Sequence, residues 1–171
     1  VLERDLGARA GLGWVGKNSC LLDRKHGSLF LIGEIFSSLQ VSITTELVPD
    51  FCGTCQACIE VCPTKALIKP RVLDANLCIS YWTIESREVP PVALRASFGD
   101  WFFGCDLCQT VCPWNQKVFK PQLKIHHSQL SDRNDLVLVK ELQFILESSG
   151  KALTRFFKGT ALLRAGPFGL K

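Results

Sequence analysis

Length, composition and charge describe a small globular protein and exclude several classes. The chain's 171 residues suffice for one ordinary domain or two small ones, and its 47% hydrophobic and 21% charged residues fit neither a disordered nor a collagenous chain. No apolar run reaches the roughly 18 to 20 residues of a membrane-spanning helix. The N-terminus lacks the basic and apolar regions of a signal peptide.

Positive charge is concentrated near the C-terminus. The net charge is +4, but residues 1–116 carry −2 and residues 117–171 carry +6. A basic C-terminal third suits a polyanion partner such as RNA. A lysine-rich, solvated helical surface would have the same composition, so charge alone leaves both interpretations open.

The N-terminal part predicts a helix, a glycine-rich loop and two strands. Residues 2–10 have the helical pattern, and the loop over residues 11–18 contains three glycines. Apolar strands are expected at Ser19–Leu22 and Leu29–Ile35, with a turn between them. Glycines let backbone amides approach a ligand closely, although a purely structural turn is the more common reason for such a loop.

Most of the nine cysteines fall into two related motifs. Residues 52–63 read CGTCQACIEVCP, which is the C-x2-C-x2-C-x3-C-P run of bacterial ferredoxins. Residues 105–113 read CDLCQTVCP, the same run without its first cysteine. Thiolates are soft ligands that suit iron–sulfur clusters, so the two runs predict two 4Fe–4S clusters.

The spacing also predicts which thiol binds which cluster. Three cysteines at x2 intervals surround one cluster, whereas the cysteine before proline reaches the other cluster. Cys78 lies between the runs and substitutes for the missing first cysteine. The predicted ligands are Cys52, Cys55, Cys58 and Cys112 for cluster I, and Cys62, Cys78, Cys105 and Cys108 for cluster II. Cys20 is left over and is expected to be a small buried core residue.

Zinc and disulfides are the alternative uses of these cysteines. Zinc sites usually have separated C-x2-C pairs rather than a triplet followed by Cys-Pro. A disulfide scaffold is typical of secreted proteins, and no secretion signal is visible. Both alternatives are therefore weak, and a reducing, cytoplasmic location is expected.

The rest of the chain is predicted to be mainly helical. Residues 74–81 form a short helical link, and residues 84–100 are an insertion that a compact ferredoxin would not need. Amphipathic helices are expected at Asp135–Ser148 and Ala152–Leu163, punctuated by glycines. Two consecutive helices could begin a helical repeat array, although two do not prove one.

Several segments together resemble a known enzyme family. They are LER at residues 2–4, AGLGWVGKN at 10–18, LIGE at 31–34, the two cysteine runs, CISY at 78–81 and WN at 114–115. The chain resembles epoxyqueuosine reductase, a cobalamin-dependent enzyme that performs the last step of queuosine synthesis in tRNA. The resemblance covers roughly residues 2–116, and the family's ligand pattern agrees with the spacing-based assignment, including Cys78 in cluster II.

This resemblance implies an α+β fold and a larger protein. Residues 1–48 would be the end of an α/β cobalamin-binding domain, and residues 49–120 a ferredoxin-like dicluster domain. Residues 121–171 would be an α-helical segment that could begin a HEAT-like repeat domain. The chain also has no Met, and we expect a fragment that is inactive alone.

The resemblance further implies where the active site lies. The family's general-acid Asp should fall upstream of Val1, and Asp5 does not match its motif position, so we assign no catalytic residue within the chain. The corrin of cobalamin should pack against the segments Trp14–Leu22 and Leu29–Ile35. Leu21, Ile32 and Ile35 are the predicted contacts, with ordinary strand packing as the alternative for each.

The implied function is reduction of epoxyqueuosine to queuosine in tRNA, with electrons passing through the two clusters to cobalamin. The expected partners are the tRNA anticodon loop and a flavodoxin or ferredoxin as electron donor, with the protein a monomer. The basic helices and the 84–100 insertion would hold the tRNA, with Arg87, Arg95 and Lys117 as candidate phosphate contacts.

Three alternative functions stay open. A ferredoxin-like electron-transfer module without its own active site would explain the cysteines, but not the glycine-rich loop or the basic tail. A corrinoid reductase similar to reductive dehalogenases would share the cofactors, but those enzymes are usually exported. A zinc-binding RNA module would have no redox role. Corrinoid binding, tRNA binding and metal content, respectively, distinguish these three from the enzyme.

Overall fold

The computed structural model describes residues 2–40, 42, 46–119 and 135–166. The chain divides into two compact units, each assembled from two separate stretches of sequence. The first consists of Val1–Asp74 with Asp106–Gln122, and the second of Ala75–Cys105 with Leu123–Lys171. These divisions differ from the predicted boundaries at residues 48 and 120, and the three-domain organisation stays a prediction.

The described elements are short helices and two antiparallel two-stranded sheets. In chain order they are α1 (Glu3–Arg9), β1 (Trp14–Val15), β2 (Leu21–Leu22), α2 (Ala57–Glu60), β3 (Leu67–Lys69), β4 (Val72–Leu73), α3 (Val92–Arg95), α4 (Leu107–Thr110), α5 (Pro113–Phe119), α6 (Asp135–Glu147) and α7 (Gly150–Phe156). No helix formed by the described residues combines the length and apolarity needed to cross a bilayer.

The first unit begins with the predicted helix, which packs on a strand. Helix α1 ends before Gly11, whose φ of 73° belongs to the left-handed region that glycine adopts without strain. The helix lies very close to β2, as shown by the distance of 2.7 Å that would separate a Cβ on Gly7 from Leu21 Cδ2. Strands β1 and β2 pair antiparallel, with Trp14 opposite Leu22.

The strand predictions succeed only in part. Within Ser19–Leu22, only Leu21–Leu22 is extended and paired, because Ser19 has a φ of 64° that interrupts a strand. The prediction for Leu29–Ile35 is wrong, since none of these residues pairs with another described strand and Leu31 is fully exposed. Apolar composition alone does not form a strand when no neighbouring backbone supplies hydrogen bonds.

The core of the first unit contains a cysteine. Trp14, Leu22 and Cys112 are buried together, and Cys52 and Trp114 pack against them. One cysteine from each run therefore lies in the same apolar cluster, next to the β1–β2 sheet.

The second unit is helical in its described part. Its buried side chains include Ile79, Leu153 and Ala165, and an ion pair of 2.5 Å joins Arg164 to Glu85. The linker that contains Cys78 begins with a 3-10 turn at Ala75–Leu77 and continues into a π-helical turn at Tyr81–Glu85.

The C-terminal helices only partly match their prediction. Helix α6 agrees with the expected Asp135–Ser148 helix to within one residue. The expected Ala152–Leu163 helix is divided, because α7 ends at Phe156 and a 3-10 turn begins only at Ala161. Gly159, with a φ of 80°, lies at the break. The start of the predicted repeat domain, at residues 121–134, lies outside the described residues.

Candidate metal centre

Four cysteines from the two runs line one cavity in the first unit. The cavity has a volume of about 190 Å³, and its wall includes Cys52, Cys55, Cys58 and Cys112. Cys58 lies in α2, and Cys112 immediately precedes α5. The cavity therefore brings together three thiols of the first run and the last thiol of the second.

Electrostatics shows that these thiols interact. Burial raises the pKa of Cys58, and the neighbouring thiols of Cys112, Cys52 and Cys55 raise it further. Four ionised thiolates would repel one another in this space, whereas cationic iron would offset that repulsion. The donor set and its shared cavity thus fit a thiolate-bound iron–sulfur cluster.

A single zinc ion would need thiols that are grouped around one point. In a tetrahedral zinc site the sulfur atoms lie about 3.8 Å apart, given a Zn–S distance of about 2.3 Å. Among the described residues, no three His, Cys, Asp or Glu side chains are grouped so as to hold one metal ion. None of the nine cysteines, all of which lie in the described part of the chain, forms a disulfide.

Hydrogen-bond donors surround the sulfur atom of Cys62. Burial raises the pKa of its thiol, but hydrogen bonds from Thr64 and from the backbone N–H groups of Leu67 and Ala66 outweigh burial and hold the pKa below its usual value. The Ala66 N–H donates to Sγ at 3.2 Å, and Thr64 Oγ1 lies 3.7 Å from it. These donors favour the thiolate, which is the form that binds iron.

The predicted ligands of cluster II come from both units. Cys62 and Cys108 belong to the first unit, and Cys78 and Cys105 belong to the second. Within the second unit, Ser80 Oγ donates to the carbonyl oxygen of Cys105 at 3.1 Å. This ligand set stays a prediction from sequence spacing.

Cys20 does not line the cavity. Burial raises the pKa of its thiol to about 11 despite the opposing charge of Arg4. Its Sγ lies 3.8 Å from the carbonyl oxygen of Asn18, to which it donates. A neutral, half-buried thiol is consistent with the structural role predicted for Cys20.

The glycine-rich loop holds both cysteine runs, a role that the sequence analysis missed. Lys17 Nζ donates to the carbonyl oxygens of Gly53 and Cys55 at 2.6 and 2.8 Å. The next residue, Asn18, donates from Nδ2 to the carbonyl oxygen of Cys108 at 3.2 Å. The only sequence signal was the adjacent polar pair at the end of the glycine-rich loop, and it does not specify these partners.

Asn115 is a second missed residue. Its side chain is fully buried, with Oδ1 accepting from the Ser28 N–H at 2.6 Å. Its Nδ2 donates to Ser28 Oγ and to the carbonyl oxygen of Gln109, both at 2.8 Å. A Cβ on Gly27 would lie 2.0 Å from Asn115 Oδ1, so glycine is required there. Asn115 thereby fixes the start of α5, which follows Cys112.

Two aromatic residues, Phe51 and Trp114, line the cavity and pack against Trp14. The Trp14 ring centroid lies 5.2 Å from those of both Phe51 and Trp114, in edge-to-face contacts. Lys117 Nζ lies 4.1 Å from the Trp114 ring centroid, in a cation–π contact. The buried Nε1–H of Trp14 has no hydrogen-bond acceptor among the described residues.

The candidate phosphate contacts have partners inside the chain. Arg87 donates to the carbonyl oxygen of Ala165, and Arg95 Nε donates to that of Pro90 at 2.9 Å. Lys117 stacks on Trp114, as described above. Contacts of these three side chains with phosphate stay predictions.

The predicted corrin contacts occupy different environments. Leu21 is buried in β2 against Gly7, Ile32 is half-buried, and Ile35 is 96% exposed. None of the three lines the cavity. Their role in cobalamin binding therefore stays a prediction.

Comparison with known proteins first identifies the class of the cysteine segment. Residues 51–115 match the family model of the 4Fe-4S double cluster binding domain. This range contains all eight predicted ligands. The match and the thiol-lined cavity define a dicluster iron–sulfur segment, as the spacing predicted.

The whole chain is similar to epoxyqueuosine reductases, which confirms the resemblance seen in its motifs. It is 48% identical over 171 residues to the Cellulophaga algicola enzyme, covering 100% of this chain and 54% of that protein. It is 41% identical over 162 residues to the Pseudomonas aeruginosa enzyme, covering 91% and 44%. The chain thus spans about half the length of these curated relatives.

Solved structures of epoxyqueuosine reductases share the fold. The Streptococcus thermophilus enzyme superposes with a TM-score of 0.78 at 29% identity, covering 99% of this chain and 43% of that one. An epoxyqueuosine reductase crystallised with an epoxyqueuosine-modified tRNA-Tyr stem loop superposes with a TM-score of 0.70 at 26% identity, covering 98% and 43%.

Proposed function

We propose that this chain is part of an epoxyqueuosine reductase and supplies its electron-transfer segment, with two 4Fe–4S clusters. The observation that carries the proposal is the meeting of Cys52, Cys55, Cys58 and Cys112 on one cavity wall. Four thiols are the ligand number of one such cluster. The relatives named above support the enzyme assignment, because they match nearly the whole chain.

The proposed reaction reduces the epoxide of epoxyqueuosine in tRNA. Both carbon–oxygen bonds of the epoxide break, a carbon–carbon double bond forms, and the oxygen leaves as water after two electrons and two protons are taken up. The clusters supply single electrons and cobalamin supplies the reducing centre when these groups are bound. The chain's own residues hold the thiolates in place and line the cavity with aromatic rings.

The proposed ligand assignment is crossed, because the last cysteine of each run binds the cluster that the other run surrounds. Cluster I takes its fourth thiolate from Cys112, and cluster II takes Cys62 together with Cys78, Cys105 and Cys108. The shared cavity and the effect of Cys112 on the Cys58 pKa support the first set. The hydrogen bonds that stabilise the Cys62 thiolate support its use as a ligand.

Further parts of the proposal concern the whole protein. Cobalamin is contacted by Leu21, Ile32 and Ile35, and the general acid is contributed from outside residues 1–171. Electrons come from a flavodoxin or ferredoxin, and tRNA is the substrate carrier. The solved relative with a tRNA stem loop supports the choice of tRNA. The protein is a cytoplasmic monomer.

Metal analysis after anaerobic purification tests the proposal. We expect about eight irons and about eight acid-labile sulfides per chain, with an EPR signal after dithionite reduction. Stoichiometric zinc without sulfide, repeated after anaerobic reconstitution, would overturn the redox assignment. Conversion of epoxyqueuosine-containing tRNA by the holoenzyme separates the reductase from a simple electron carrier, which would bind both clusters but leave the tRNA unchanged.

A further inference from the structure

Lys17 lies where the glycine-rich loop meets the first cysteine run. Its ammonium group donates to the carbonyl oxygens of Gly53 and Cys55 and also lines the thiol cavity. Both hydrogen bonds are charge-assisted, and such bonds are roughly twice as strong as neutral ones. Both acceptors belong to the turn between the first two ligands of cluster I, which the Cys55 N–H also closes by donating to the Cys52 carbonyl oxygen at 3.1 Å. One side chain therefore holds two points of that turn.

The backbone that carries Lys17 is itself fixed. The Lys17 carbonyl oxygen accepts from the Arg71 N–H at 3.1 Å, and the neighbouring Asn18 is buried and bonded to the second cysteine run. On the other side, a Cβ on Gly16 would lie 2.4 Å from Leu22 Cδ1, so the loop packs directly on the core. Lys17 therefore restrains the ligand loop from a rigid base.

We propose that Lys17 is a positioning residue for cluster I that holds the Cys52–Cys55 turn and raises the reduction potential of the cluster. This inference rests on the proposed function, because it requires cluster I. Reduction adds one electron and no proton to a cluster held by four thiolates, so its negative charge grows. A nearby cation stabilises the reduced form more than the oxidised form, and charge and hydrogen bonding are known determinants of cluster potentials.

Three variants of the holoenzyme separate charge from hydrogen bonding. Lys17→Arg keeps the positive charge and the donors, Lys17→Gln keeps donors without charge, and Lys17→Met removes both. Lys69→Gln is the matched control, because Lys69 is an exposed residue of β3 that does not line the cavity. The readouts are iron and sulfide content and the midpoint potential of the cluster I EPR signal in an anaerobic redox titration.

We expect Lys17→Gln to lower the equilibrium constant for reduction of cluster I about tenfold, which is a shift of about 59 mV to more negative potential for a one-electron couple. Lys17→Arg and Lys69→Gln should stay close to wild type. Lys17→Met should show at least the shift of Lys17→Gln, or lose cluster I while keeping cluster II.

The outcomes that overturn the inference differ from those that overturn the proposed function. Wild-type protein without iron and sulfide would overturn the function itself. Two intact clusters with an unchanged cluster I potential in Lys17→Gln and Lys17→Met would overturn only the role of Lys17. Equal loss of both clusters in Lys17→Arg and Lys17→Met would assign Lys17 a general role in folding and would likewise overturn the inference.

Discussion

Replacing Cys112 with alanine tests the crossed assignment of the ligands. Cys112 belongs to the second run by sequence but shares the cavity with three thiols of the first. Its removal leaves cluster I with three of its four proposed thiolates. We therefore expect Cys112→Ala to lower the iron content from about eight to about four per chain through loss of cluster I.

Unfolding of the Cys112→Ala variant would also lower its iron content and has to be tested separately. Cys112 is 8% exposed, and deleting its sulfur atom should by itself lower the free energy of unfolding by only about 1 kcal/mol, with a further loss of the stabilisation that cluster I provides. We expect the chain to keep its fold and cluster II. Circular dichroism of the anaerobic protein checks this expectation independently of the iron analysis.

The EPR spectrum of dithionite-reduced protein identifies the lost cluster. Cys55→Ala removes a cluster I ligand of the first run, and Cys108→Ala removes a proposed cluster II ligand of the second. We expect the spectrum of Cys112→Ala to match that of Cys55→Ala. If it matches Cys108→Ala instead, each run binds its own cluster and the crossed assignment is wrong.

Three further substitutions test the surroundings of the site. Asn115→Ala removes the three hydrogen bonds of a buried side chain, two of them with Ser28, and should lower the free energy of unfolding by about 3 kcal/mol in urea denaturation; a loss below about 1 kcal/mol would contradict the assigned role. Cys20→Ala should retain about eight irons, since Cys20 is not a proposed ligand, whereas a loss of about four would make it one. Arg87→Ala breaks the contact with the Ala165 carbonyl oxygen and should lower the melting temperature; if Arg87 is also a phosphate contact, as predicted, the salt dependence of tRNA binding should become shallower, and an unchanged salt dependence would refute that prediction.

The cysteine pattern was predictable because the chemistry of the cluster determines its local spacing. A run such as residues 52–63 has to place three sulfurs around one cluster within a short loop, and few sequences do so. The family match over residues 51–115 confirms the dicluster class that this reasoning predicted. Helix α6 was predictable for a similar reason, since its apolar periodicity extends over several turns.

The strand prediction for Leu29–Ile35 was wrong because strand formation is not a local property. An apolar run indicates that a segment tends to be buried or paired, but the partner must come from elsewhere in the chain. None of the described residues provides that partner, and Ile35 is left 96% exposed. The prediction of one helix over residues 152–163 was wrong for a more local reason. Gly159 lies within that range and interrupts the helix, although the apolar pattern continues past it.

Lys17, Asn18 and Asn115 could not be identified from the sequence, because each one acts on backbone groups far away along the chain. The acceptors of Lys17 are 36 and 38 residues away, and that of Asn18 is 90 residues away. Backbone carbonyl groups have no side-chain identity, so no sequence motif marks them as partners. The cysteine runs therefore specify which atoms bind iron, whereas the glycine-rich loop and Asn115 determine where those atoms are held. A substitution in the cysteine runs or in these supporting residues should impair the same site. Only a substitution of the supporting residues can change the reduction potential of the cluster without changing its ligands.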